Sequence, residues 1–269
     1  MSFTDVSPSS PMYDAIALER LANFAVDKLN WNEAARLLQE SLAIRKTADG
    51  ANAPGYALTL DRLAEVYINQ GKIAEAMECL SQALPILEAA YYPAHGTVAA
   101  ILEHQGDCLV CEGKFAEAEP IFKRASDIYT ASVTLENRMA LRCMYKLAKV
   151  YLALAKPADA KAVLLKTLKY VDTPLGPVAE FRYQLALAAI QLKETVEARE
   201  LLHSAAVDFK QRSNYARVAD CSSALAEICR SDSAGAEADE WIRQALRYGQ
   251  MAIKSPYPDD IFLATLLRA

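Results

Sequence analysis

Histidine, tryptophan and glycine are scarce in this chain of 269 residues, which holds three, two and nine of them. Three histidines spread over His95, His104 and His203 do not make a constellation for acid–base or metal chemistry. Nine glycines leave little for the loops that cradle phosphates, and neither a Gly-x-Ser-x-Gly elbow nor a phosphate or dinucleotide loop occurs. Positive charge is not in surplus: 29 Lys and Arg stand against 34 Asp and Glu, a net charge of -5 that argues against a nucleic-acid partner. No run approaches the roughly 18 consecutive apolar residues of a membrane span. The first residues, MSFTDVSPSSPMYD, have neither the basic start nor the apolar core of a signal peptide, so the expected location is cytoplasmic. The six cysteines lie in helical stretches and not at the spacings of a small disulfide framework, and they are expected to be reduced thiols.

What the chain does have is 53% apolar content and an internal repeat. The stretches GKIAEAMECLSQAL and GKFAEAEPIFKRAS place Gly71 and Gly113 in register, 42 residues apart. An acidic-alanine dipeptide then marks six copies at Ala34, Ala76, Ala118, Ala160, Ala198 and Ala238, spaced 42, 42, 42, 38 and 40. Twelve residues before each marker stands another small residue: Ala22, Ala64, Gly106, Ala148, Ala186 and Ala226. Four residues after each marker stands a large apolar one: Leu38, Leu80, Phe122, Leu164, Leu202 and Ile242. Small residues at two fixed points let paired helices approach closely, and the large residue fills the space beyond. Leu60, Leu63, Ala64 and Tyr67 form one amphipathic stripe, and Ala76, Leu80, Leu84 and Leu87 a second. Gly71 and Gly113 fall between the two helices of their copies, where a left-handed residue ends the first helix.

These features predict an all-α, right-handed superhelical solenoid of six helical hairpins, over about 15–50, 56–92, 98–134, 138–172, 178–212 and 216–250. Residues 1–14 are expected to be disordered or extended. The C-terminal DDIFLATLLRA follows a proline-rich break and carries Ile261, Phe262, Leu263, Leu266 and Leu267; residues 254–269 are expected to form a helix that caps the core, with membrane contact as the other reading.

The pattern LDRLAEVYINQGKIAEAMECLSQAL resembles a tetratricopeptide repeat, and the 42-residue spacing is similar to the longer kind found in kinesin light chains. An ordinary repeat has about 34 residues; roughly four more per helix add close to one turn and keep the apolar stripe in place. Pro93, His95, Val98 and Ala99 also resemble the Pro-x-His-x-x-Val-Ala stretch that opens many light-chain repeats, and Asn52 to Ala57 is a weaker version. The resemblance covers residues 15–170 closely and 171–250 loosely. The long heptad coiled coil of a eukaryotic light chain is missing, so a short bacterial light-chain-like protein is the better match. The resemblance implies an adaptor, not an enzyme, that links a filament, such as a tubulin-like one, or a cargo to another component. A peptide-sensing receptor is the rival reading, and a membrane-associated linker a third.

In stacked hairpins the first helices line the concave face, which makes their polar positions the candidate contacts. In the first three copies these are Glu19, Arg20, Asn23, Asp27, Asp61, Arg62, Glu65, Asn69, Glu103, His104 and Asp107. In the fourth and fifth they are Arg142, Tyr145, Lys146, Lys149, Tyr183, Gln184 and Gln191. The first set is acidic and suits a protein segment with a basic stretch. The light-chain family usually has Leu-Asn-Asn-Leu-Ala here, whereas this chain has Leu60-Asp61-Arg62-Leu63-Ala64 and Leu102-Glu103-His104-Gln105-Gly106, so the family's peptide specificity does not carry over. His104, Cys108 and Cys111 share one helical face, but a fourth ligand is not evident, and neither a metal nor a cofactor is expected. The acidic pair Glu117 and Glu119 belongs to the helix-start marker and lacks the burial that general acid–base work needs.

Overall fold

The computed structural model describes residues 11–132, 138–168 and 178–253, and every regular element among them is a helix. The expected capping helix at 254–269 and the first ten residues of the expected extended segment lie outside the described residues. The chain divides into two compact units, residues 1–133 and 134–269. The first holds α1 (Pro11–Asp27), α2 (Trp31–Ala48), α3 (Pro54–Asn69), α4 (Ile73–Tyr91), α5 (Gly96–Cys111) and α6 (Phe115–Ser132). The second holds α7 (Arg138–Ala153), α8 (Pro157–Leu168), α9 (Val178–Gln191), α10 (Thr195–Gln211), α11 (Tyr215–Ser231) and α12 (Gly235–Ile253). Within each unit every helix packs on the next, and α3 also meets α5 as α7 meets α9. Each unit is thus a solenoid of three stacked hairpins.

The repeat register explains the packing. None of the six marker alanines is more than 1% exposed, and all six small residues twelve positions earlier are buried. In the third copy the pair is tuned to fit. A Cβ on Gly106 would come within 2.6 Å of the Phe122 ring, so the larger filler at Phe122 goes with the loss of a methyl at Gly106.

All six hairpin turns have one geometry. Leu29, Gly71, Gly113, Ala155, Lys193 and Ser233 stand at the same register with φ between 54° and 74°. The next amide reaches back five residues in each case, as in Lys72 N–H to Tyr67 C=O at 2.9 Å and Lys156 to Tyr151 at 2.8 Å. This is the Schellman closure, which satisfies carbonyls left open at a helix end. Glycine relieves the left-handed residue in two copies only.

Two expectations for the first copy and the loop gain detail. Residues 11–14 are helical, not extended: Pro11 opens α1, where a missing N–H removes no helix bond. His95 caps α5, its Nδ1 accepting the Thr97 amide at 3.2 Å, while Tyr91 stacks on its ring and Tyr92 meets it edge-on. Val98 and Ala99, one turn on, are fully buried. The Pro-x-His-x-x-Val-Ala stretch is therefore a helix cap followed by two core residues.

Candidate functional site

In the first unit the polar positions of α1, α3 and α5 separate into a buried set and a surface set. Glu19 and Glu103 are buried, at 8% and 0% exposure, which removes both from the residues open to a partner. Glu19 Oε1 accepts from Arg45 Nε at 2.7 Å, Thr59 Oγ1 at 2.7 Å and Ser41 Oγ at 3.1 Å, and Arg62 reaches Oε2 at 3.4 Å. One carboxylate thereby ties α1, α2 and α3 together. Burial raises its pKa, but the Arg45 and Thr59 hydrogen bonds and the Arg45 charge outweigh that and hold it below the usual range. Gly55 makes room for the same guanidinium, since a Cβ there would lie 2.5 Å from Arg45 Nη1. Glu103 accepts from the Tyr129 hydroxyl at 3.4 Å on α6.

The surface set gathers on α3 and α5. His104 Nδ1 lies 2.7 Å from Asp61 Oδ1, and both side chains are 15% exposed. Burial lowers the His104 pKa, but the Asp61 charge and hydrogen bond, helped by Glu65 and Asp107, raise it to about 9. His104 is therefore held as an imidazolium at neutral pH, paired with Asp61 and favoured by two further carboxylate charges. Glu65 and Asp107 are partly exposed, and Arg20, Asn23, Asp27, Arg62 and Asn69 are exposed. Arg62 pairs with Glu19, and Asn69 Nδ2 donates to the Glu65 carbonyl at 2.7 Å.

In the second unit two of the seven expected residues leave the surface. Tyr145 and Gln184 are buried at 7% and 5%, and belong to the interior and not to an open groove. Tyr145 donates to Glu180 Oε2 at 3.2 Å and accepts from Gln184 Nε2 at 3.3 Å, while Arg217 Nε bonds Glu180 Oε1 at 2.8 Å. Burial and the Glu180 charge push the Tyr145 phenol well above its ordinary range. Tyr183 is half-buried with the Arg217 guanidinium over its ring at 5.4 Å. Of the predicted cations, Lys149 is exposed and lies over the Tyr145 ring at 5.8 Å, and Arg142 and Lys146 are partly buried. Gln191 is exposed.

Sequence reasoning missed Ser41, Arg45, Thr59, Glu180 and Arg217. A signal for two of them was present: Ser41 and Arg45 stand seven and eleven residues after Ala34, on the stripe where later copies carry Ala205 and Phe209. A polar residue on an inward stripe points to a buried partner.

Among the described residues no group of three or more His, Cys, Asp or Glu is placed to hold a metal. Cys108 is fully buried, its thiol pushed up to about 12 by burial and by the Asp107 charge, and Cys111 is exposed. No described helix is long and apolar enough to cross a membrane.

The tetratricopeptide repeat family matches the chain over residues 13–89 and 97–171. Among solved structures, one similar protein is a putative kinesin light chain from Podosopora anserina with nearly identical TPR-like repeats. It has 21% identity over 76% of this chain and 98% of that one, with a TM-score of 0.66. BtubC from P. vanneervenii has 14% identity over 93% and 95% of the two chains, TM-score 0.63. Aspartyl phosphate phosphatase F from Bacillus subtilis has 16% over 93% and 64%, TM-score 0.64. Comparison with curated proteins by sequence gives no match. At these identities the likeness is one of fold. With the family model matching more than half of its length, the chain belongs to the tetratricopeptide repeat family.

Proposed function

We propose that this chain is a non-catalytic adaptor that holds a protein segment carrying a basic stretch against the first-helix face of its N-terminal unit. The supporting observation is the cluster on α3 and α5, where Asp61 pairs with His104 and the charges of Glu65 and Asp107 act on the same ring. A potential that keeps a mostly buried imidazolium charged also favours a lysine or arginine arriving from solvent. Tetratricopeptide solenoids present such helix faces as docking surfaces.

The test is fluorescence anisotropy with a labelled lysine-rich peptide, titrated at rising salt. Binding is expected to weaken steadily with salt, and to weaken about tenfold in a Glu65→Gln, Asp107→Asn variant, while Lys149→Gln leaves it unchanged. Affinity indifferent to ionic strength removes the basic partner from the reading. The finer proposal is that the held protein belongs to a filament or its cargo, and it rests on the light-chain type of the repeat. Co-sedimentation with polymerised tubulin tests it; a chain left in the supernatant overturns the filament and leaves the adaptor.

A further inference from the structure

We infer that the two ends of the described repeat array are complementary, and that α1 of one copy of this chain docks in the groove between α11 and α12 of another. Relative to the small residue of each copy, the first helix uses the positions five before, one before and two after it to face the preceding hairpin. In the second copy these are Thr59, Leu63 and Val66, in the fifth Phe181, Leu185 and Ala188, and in the sixth Cys221, Leu225 and Ile228, all buried. In the first copy the same positions hold Ala17, Leu21 and Phe24; Ala17 is exposed, and Leu21 and Phe24 are 55% and 57% exposed. Among the described residues no hairpin precedes this apolar face.

At the other end the matching half is absent from the described residues. Four, seven and eleven residues after the marker, α10 carries Leu202, Ala205 and Phe209, buried where α11 packs. On α12 the same positions are Ile242, Ala245 and Gly249, and they line an open groove with Leu246, itself 64% exposed.

Size and charge single out a second copy as the occupant. Inside the chain, the position eleven after a marker meets the position nine before the next small residue, where large Arg45 faces Gly55. At the proposed joint the order is reversed: Gly249, whose Cβ direction is open, faces Tyr13, 70% exposed. The position three before one small residue bonds the position two before the next, as in Asp61 to His104 and Gln184 to Tyr145. At the joint these are Ser223 and Arg20, with Glu227 on the same rim to receive the cation. The contact is heterologous, so each copy in a pair keeps one face of each kind to which a further copy can add.

Sedimentation of the full chain over rising concentration tests this. Because one helix in a groove is a small interface, association is expected at about 10–100 µM, with species beyond the dimer. Leu21→Glu with Phe24→Glu on α1, or Leu246→Glu on α12, should each leave the circular dichroism unchanged and the protein monomeric. Mixing the two variants should restore a dimer only, since one working face remains on each. A wild-type chain that stays monomeric, as it would if residues 254–269 filled the groove, overturns the proposal. So does an α12 variant that still self-associates, which would mean that α1 pairs with α1.

Discussion

Gly106 and Phe122 act as one unit: the ring occupies the volume that a methyl at 106 would take. Gly106→Ala should therefore destabilise the fold by about 1–3 kcal/mol through overpacking, and Phe122→Leu, the filler of other copies, should recover much of the loss. Thermal melts of the two single variants and the double variant read the coupling; additive losses would show that the two sites do not meet. The left-handed turn residues act oppositely. Ala155, with φ 54°, holds a conformation that disfavours a Cβ, so Ala155→Gly should stabilise by about 0.5–1 kcal/mol in urea unfolding. The small, marker and filler positions were legible from spacing alone, because each must recur for the helices to nest. The glycine at 71 and 113 was legible too, whereas Leu29 and Lys193 were not, since the closing hydrogen bonds impose the conformation against their side-chain preference.

Between elements, polar groups do what the apolar stripe cannot: they distinguish one interface from another. Glu19 binds α1 to α2 and α3, Glu180 links α7, α9 and α11, and Lys161 reaches Glu194 and Glu197 at 2.6 Å across a hairpin boundary. The acid of the marker dipeptide has a second use here, for Arg199 meets Glu237 at 3.1 Å in the same register as Lys161 and Glu197. The His104 and Asp61 pair couples α3 to α5 and carries a pH signature. With its pKa raised from 6.5 to about 9, His104 contributes stability that is complete below about pH 6.5 and is lost as pH rises through 9. Melting temperatures of the wild type should fall across that window, by a free energy of at most about 3 kcal/mol, and His104→Gln should flatten the slope. A wild-type profile already flat from pH 6.5 to 10 would mean that Asp61 does not hold the proton there.

At the scale of the whole molecule, stability in a stacked array depends on how many faces of a helix are covered. Helices with a neighbour on each side, such as α3 and α10, should show the slowest amide exchange, and α1 and α12 the fastest, as read by hydrogen–deuterium exchange; equal protection throughout would contradict it. Sequence alone determined the class of fold, the number of copies and the pairing of helices, because periodic burial of small and large residues leaves its period in the chain. It also named the faces on which charged residues lie. Which of those charges stay in the open was decided only by tertiary structure. Glu19, Glu103 and Tyr145 stand three residues before the small residue of their copy and Gln184 two before it, and they are buried, whereas Glu65 and Asp107 stand one after it and are partly exposed. The earlier register turns them toward the neighbouring helices, and the partners that make their burial tolerable, Arg45, Thr59, Tyr129 and Glu180, come from those helices and are named by no local pattern.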